Sequence, residues 1–363
     1  MADHAKAAIK RATLVAQREV ARLDAAAADE LIRLYQQAAD DIARRIAAYA
    51  GSDANVSLQE LQSVLAQVNA RLDTLNAVRN TLLNDSLGAA AELGTQPFTA
   101  AGLGVINPAP TALLTSAAAM TINHEALQYV RTFVAADGLQ LSDRIWRLDR
   151  HARDVVINHI EQAVIQGHGA AQAARELLMK GQGVPGDIAG KMGMGNAAEM
   201  GKAAGELLTG DGSPMVNAMR LMRTEINRAH GTSYAKGALA HPDAAGVRFI
   251  LSPAHPRPDR CDLLAAQNLY GLGRGVYPSV AASGWPAHPN TLSFLEVVFK
   301  DEVTAADKAG KETSMQALDR LTPEQRRGAL GVNKAEVFDQ GKMSKGMIRS
   351  KWSAVQKRQR RND

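Results

Sequence analysis

"GVRFILSPAHPRPDRCDLLAAQNLYGLGRGVYPSVAASGWPAHPNTLSFLEVVF" runs from Gly246 to Phe299. Its two ends, GVRFILS at 246–252 and FLEVVF at 294–299, are rich in β-branched and aromatic residues, the side chains that fit a pleated, half-buried surface. The chain before residue 240 has almost none of this character. The two ends therefore read as paired strands, and everything between them becomes one elaborated connection. Pro256, Pro258 and Pro289 hold their preceding residues extended, while Gly271, Gly273 and Gly275 permit tight turns. CDLLAAQNLYG reads as a short helix with Asp259 as its cap and Gly271 as its end.

Outward from this knuckle the sequence is helical. Residues 4–50 contain neither Gly nor Pro, and Val20, Leu23, Ala27, Leu31, Leu34, Ala38, Ile42, Ile46 and Tyr49 recur at three- and four-residue steps. That spacing is one apolar stripe on a long helix, ended by Gly51. Ser57 with Glu60 forms a capping box for a second helix, whose stripe is Leu61, Leu65, Val68, Leu72, Leu75, Val78 and Leu82. The two predict a helical hairpin over 1–92, followed by a flexible linker over 93–124. A helical domain over 125–240 starts a helix at Ser142, stops it at Gly167, and resumes over about 170–180. The 181–212 stretch reads as loop with one short helix near 196–208, and Ser213-Pro214 opens the next helix. The small α+β knuckle occupies 241–300, and short helices and a basic terminus fill 301–363. The expected fold is thus mainly α with a small α+β C-terminal domain built on a two-stranded sheet.

A single cysteine in 363 residues cannot form an internal disulfide, which suits a reducing compartment. Charges at Asp3, Lys6, Lys10, Arg11 and Arg18 interrupt any signal-peptide core. The longest uncharged run, 93–124, carries Pro97, Pro108 and Pro110, which argues against a membrane span. The net charge of +5 is uneven: residues 341–363 alone carry +7, so the other 340 residues sum to −2. Lys342, Lys345, Arg349, Lys351, Lys357, Arg358, Arg360 and Arg361 make this terminus a polyanion-binding candidate, with a merely solubilising tail as the alternative. Few aromatics (4%) argue against extended stacking platforms for single strands.

Three chemistries compete for the knuckle. His255, Asp259, Cys261 and His288 are donor types that zinc accepts, although no paired-cysteine or paired-histidine spacing is present. His288 with Asn290, or Cys261 with His288, could instead serve a metal-dependent hydrolase or a thiolate–imidazole pair. In the third reading the segment is structural and Cys261 is a small buried hydrophobe.

Four segments carry a resemblance. RTEINRAHG at Arg223–Gly231, LSPAHPRPDRCDLLA from Leu251, YGLGRGVYP at Tyr270–Pro278 and PAHPNTLSFLEVVF from Pro286 resemble, in order and spacing, the Mu F-like family of phage head morphogenesis proteins. LSDRIWRLDR at Leu141–Arg150 is similar to a helical segment upstream in such proteins, so the resemblance covers roughly 140–300. It implies structural roles for Arg223, Glu225, Arg228, Asp259, Cys261, Tyr277 and His288, with Arg223 reaching backbone carbonyls of the knuckle. Glu225 lies three residues before Arg228 and can pair with it on a helix. The family pattern has a cysteine where this chain has Thr291, which weakens a zinc site and favours the structural reading. The resemblance further implies a non-enzymatic minor head protein in the virion interior, made in the host bacterial cytoplasm. Its implied partners are the portal protein, a scaffold or the major capsid protein, and double-stranded DNA; no cofactor is implied beyond the zinc alternative. A metal-dependent nuclease using His255, Asp259, Cys261 and His288 is the competing function.

Overall fold

The computed structural model describes residues 2–49, 56–103, 113–135, 137–253, 255–286, 288 and 291–360. In chain order its helices and strands are α1 (Ala2–Ala48), α2 (Leu58–Thr95), α3 (Ala100–Leu103), α4 (Ser116–Thr132), α5 (Leu141–Met179), α6 (Gly186–Met192), α7 (Ala197–Gly205), α8 (Pro214–Ala240), β1 (Ala244–Ile250), α9 (Arg260–Ala266), β2 (Val276–Tyr277), α10 (Val280–Ser283), β3 (Phe294–Phe299), α11 (Ala305–Ala309), α12 (Ser314–Arg320), α13 (Pro323–Leu330), α14 (Val332–Asp339) and α15 (Trp352–Gln359). The protein is mainly helical with one small antiparallel sheet. No helix among the described residues is long and apolar enough to cross a membrane.

Two compact units emerge, neither of them contiguous. One comprises Leu23–Ser86 and Arg131–Arg223; the other comprises Met1–Arg22, Leu87–Val130 and Thr224–Asp363.

The first unit follows helical periodicity. Ala27, Leu31, Leu34, Ala38, Ile42 and Ile46 of α1 are buried, as are Val64, Val68, Leu72 and Leu75 of α2. Arg45 of α1 bonds Gln67 of α2, and Arg71 of α2 reaches Asp41 of α1, so the two run antiparallel as a hairpin. Arg153 to Asp73 and Arg79 to Asp149 lay α5 antiparallel to α2.

The expected stripe on α2 fails at its end. Val78 and Leu82 are replaced inside by Arg79 and Leu83, leaving Val78 exposed. Leu75, Arg79 and Leu83 form one four-residue row, and Arg79 is held inside it by Asp149 and Asn76. Gly167 does not stop α5. It is buried within the row Ala163, Val164, Ala170 and Ala174, whose packing offsets the ~1 kcal/mol cost of a helical glycine. The N-cap of α5 is Gln140, with Asp143 closing the capping box, rather than Ser142. The short helix expected near 196–208 is α7, capped by Asn196.

The second unit holds the sheet, in the order β2-β1-β3. β1 pairs antiparallel with β3, Val247 opposite Val297 and Phe249 opposite Leu295. The sheet has three strands, not two: Val276 and Tyr277 pair with Arg248 and Val247. A two-residue strand has no periodicity for a sequence to display. It forms because the Phe249 amide donates to the Gly275 carbonyl at 2.8 Å, with Gly275 at a positive φ of 69°. Gly246 is required opposite it, since a Cβ there would lie 2.4 Å from the Tyr277 carbonyl oxygen.

Phe98, Tyr234, Phe249, Trp285, Leu295 and Phe299 fill the core around this sheet. Phe98 comes from the stretch expected to be a flexible linker. Within 93–124 the structure instead shows α3, the start of α4 and a parallel bridge from Thr99 to Leu114; 104–112 lie outside the described residues. The basic terminus is likewise folded. Met343, Met347 and Val355 pack with Leu263, Leu318 and Leu330 in a second hydrophobic cluster.

Candidate functional site

The β1–β3 pairing draws the two ends of the knuckle together, and α9 starts between them. Asp259 caps α9: its Oδ1 accepts from the Cys261 amide at 2.6 Å, and Asp262 Oδ2 accepts from the Asp259 amide at 2.8 Å. This reciprocal capping box fixes both carboxylates at the start of the helix. The same carboxylates hold the two histidines. His288 Nε2 lies 2.9 Å from Asp259 Oδ2, and His255 Nε2 lies 3.0 Å from Asp262 Oδ2 and 3.8 Å from Asp259 Oδ1.

Cys261 is fully buried beneath them. Its Sγ is 3.1 Å from His288 Nε2 and 3.6 Å from Thr291 Oγ1. Burial pushes the thiol up to about 12, against hydrogen bonding from Thr291 and with the Asp259 carboxylate adding to the rise. A thiol at that value is protonated near neutral pH and is a poor nucleophile. Burial thus favours the neutral thiol in the Cys261–His288 contact.

The four expected ligands do converge, as two overlapping triads that share Asp259. Asp259, Cys261 and His288 form one, and His255, Asp259 and Asp262 the other; within each, one ligand atom per residue lies within 4.8 Å of the others. Sulfur, imidazole nitrogen and carboxylate oxygen are all zinc donors, so the residue types fit that ion. Much of their capacity is already used, because the carboxylates also cap α9 and the histidines bond the carboxylates. Asp262 escaped the sequence reading, although the D-x-x-D pattern of a capping box was there to find it. Asn290, which one reading pairs with His288, lies outside the described residues.

The helix α8 buttresses this arrangement. Glu225 and Arg228 form a fully buried ion pair, as their spacing predicts. The resemblance implies Arg223 against the knuckle carbonyls, and its Nε donates to Asp24 of α1 at 2.8 Å. That expectation overlooked Asn227, whose Nδ2 donates to the carbonyls of Thr291 at 2.7 Å and Ser293 at 3.2 Å. Gly231 lets Trp285 lie against the helix, since a Cβ there would sit 2.2 Å from the indole ring. Tyr277 ties β2 to α9 by donating to the Leu264 carbonyl at 2.6 Å while accepting from Gln267.

Of the basic terminus, Lys342, Lys345, Arg349, Lys351, Lys357, Arg358 and Arg360 are all exposed, and Arg361 lies outside the described residues. They stand on a folded surface rather than on a loose tail. Comparison with known protein families, curated proteins and solved structures finds no match to this chain.

Proposed function

We propose that this protein is a minor head protein of a tailed phage. In this reading it is made in the host cytoplasm and built into the virion interior through contacts with the portal protein, a scaffold or the major capsid protein. Its basic C-terminal surface touches packaged double-stranded DNA. The observation that supports the reading most is the convergence of the Mu F-like segments. Asn227 of RTEINRAHG bonds Thr291, Cys261 meets His288, and Tyr277 bonds Leu264 of α9, all beside a single sheet. Thr291, which stands where the family pattern has cysteine, lies 3.6 Å from the Cys261 sulfur. The long helices α1 and α2 supply partner surface, with Leu14, Val15 and Val78 exposed on them.

The test is a phage carrying the gene and a derivative lacking it. Heads from the derivative should be fewer, misassembled or poorly infectious, and purified heads of the parent should contain the protein. The competing hydrolase reading wins if variants at His255, Cys261 and His288 block infection while heads still assemble with the protein in place. Chelator-sensitive nuclease activity of the purified protein would point the same way.

A further inference from the structure

The second hydrophobic cluster carries a cleft on its surface. The chain after α9, the start of α12 and the segment before α15 enclose about 720 Å³, within the range of small-ligand pockets. The lining includes the apolar side chains of Leu269 and Ile348 and the ring of Tyr270, which is 40% exposed. It also includes Lys311, Lys345 and Arg349, all exposed.

None of these three cations takes part in an ion pair among the described residues. The one carboxylate in the lining, Glu312, is already committed: Arg320 donates to it at 2.6 and 2.9 Å, and the Asn268 amide at 2.9 Å. Further positive charge crowds the rim. A Cβ on Gly346 would lie 3.3 Å from an Arg358 guanidinium nitrogen, so that side chain lies over the cleft's backbone. The surrounding protein, and after it the Arg349 charge, lower the Arg260 pKa; burial and then Arg260 lower that of Lys334. Like charges held together without counter-charge cost free energy unless an anion joins them. Arginine and lysine beside an aromatic face suit a ligand with a phosphate at one end and a flat ring at the other.

We propose that this cleft seats a nucleoside phosphate, its phosphate between Lys311, Lys345 and Arg349 and its base against Tyr270 and Ile348. The source is a free nucleotide or an unpaired nucleotide of a strand. The site shares Lys345 and Arg349 with the basic terminus of the head-protein reading, whereas Lys311 and Tyr270 lie outside that terminus.

The experiment uses the full chain, with a fluorescent oligothymidylate, a duplex of equal length, ATP and inorganic phosphate as probes. Lys311→Gln with Arg349→Gln should weaken ATP binding by about tenfold or more, and Tyr270→Ala should weaken ATP binding but not phosphate binding. Lys311 and Arg349 are exposed, so their double variant should leave the thermal midpoint in place, and Tyr270→Phe, which keeps the ring, should retain ATP binding. Neutralising Lys351, Lys357 and Arg360 together should leave ATP binding intact. Competition between ATP and the oligonucleotide identifies an unpaired nucleotide of a strand as a source, whereas ATP binding without competition identifies the free nucleotide. The proposal is overturned if ATP does not bind, or if its binding ignores Lys311, Arg349 and Tyr270. Duplex binding that is lost only in the Lys351, Lys357 and Arg360 variant, without ATP binding, would overturn the cleft while leaving the DNA contact standing. ATP binding without any duplex binding would do the reverse.

Discussion

In the unit formed by Leu23–Ser86 and Arg131–Arg223, most ion pairs lie beside apolar helix faces and reach solvent: Arg45 and Arg71 on Asp41, Arg153 on Asp73. In the unit that holds the knuckle, polar groups sit inside. Glu225, Arg228, His230, Asp262, Gln267, Asn268, Thr291 and Ser293 are all buried there. Exposed pairs are worth roughly 0–1 kcal/mol each, so the helical unit rests on its stripes and tolerates changes at their margins. Buried polar groups cost free energy unless every partner is in place, so the knuckle unit depends on geometry that several segments must supply at once.

The sharpest break between the two should come from charge removal. Glu225→Gln leaves Arg228 buried without its carboxylate and should cost about 3–5 kcal/mol in urea unfolding, whereas Asp41→Asn should cost under about 1 kcal/mol. Equal losses would erase the distinction.

Next in size is a pH effect. Burial lowers the His230 pKa from 6.5 to about 4. The unfolded chain therefore takes up a proton below about pH 6.5 that the folded chain refuses. Stability from this group is complete above pH 6.5 and is lost as pH falls towards 4, by about 3 kcal/mol in all. Replacing His230 by Leu should flatten the stability profile in that window; an unchanged profile would assign the acid sensitivity elsewhere.

Glycine substitutions should separate the units by sign. Gly231→Ala forces a Cβ into the Trp285 ring and should destabilise by about 1–3 kcal/mol. Gly169→Ala, in exposed α5 with nothing within 4 Å of the new carbon, should stabilise by about 0.5–1 kcal/mol. Thermal midpoints moving in the same direction would contradict this.

The smallest contrast concerns helix caps. Asn196→Ala at α7 removes one local bond and should cost about 1 kcal/mol. Asp259→Ala removes an equivalent cap and also the His288 contact. Its excess over Asn196→Ala measures what the histidine contributes, and no excess would reduce Asp259 to a plain cap.

Much of this division could be read in the amino-acid sequence. The long stripes of α1 and the first half of α2, the helices after Ser213 and Thr322, the two main strands and the Asp259 cap all depend on neighbours a few residues apart. The convergence of Asp259, Cys261 and His288 was also legible, because pairing two strands must close the loop between them. What escaped was whatever a distant partner decided. Arg79 sits inside because Asp149 meets it 70 residues away, and Val78 turns out to solvent in consequence. Asn227 reaches the carbonyls of Thr291 and Ser293, more than 60 residues away. β2 exists only as a complement to β1.

The sequence by itself determined which segments are helix, which two are the main strands, and which residues cap the connection between them. Those choices are local: backbone sterics, side-chain spacing and capping bonds act within one or two turns of chain. Only the tertiary structure decided that 96–103 and 114–119 fold against their surroundings, that Asp262 joins the histidines, and that the basic terminus becomes a wall of a cleft. Those outcomes depend on burial, and the free energy of burying a group is set by whichever distant residues happen to enclose it.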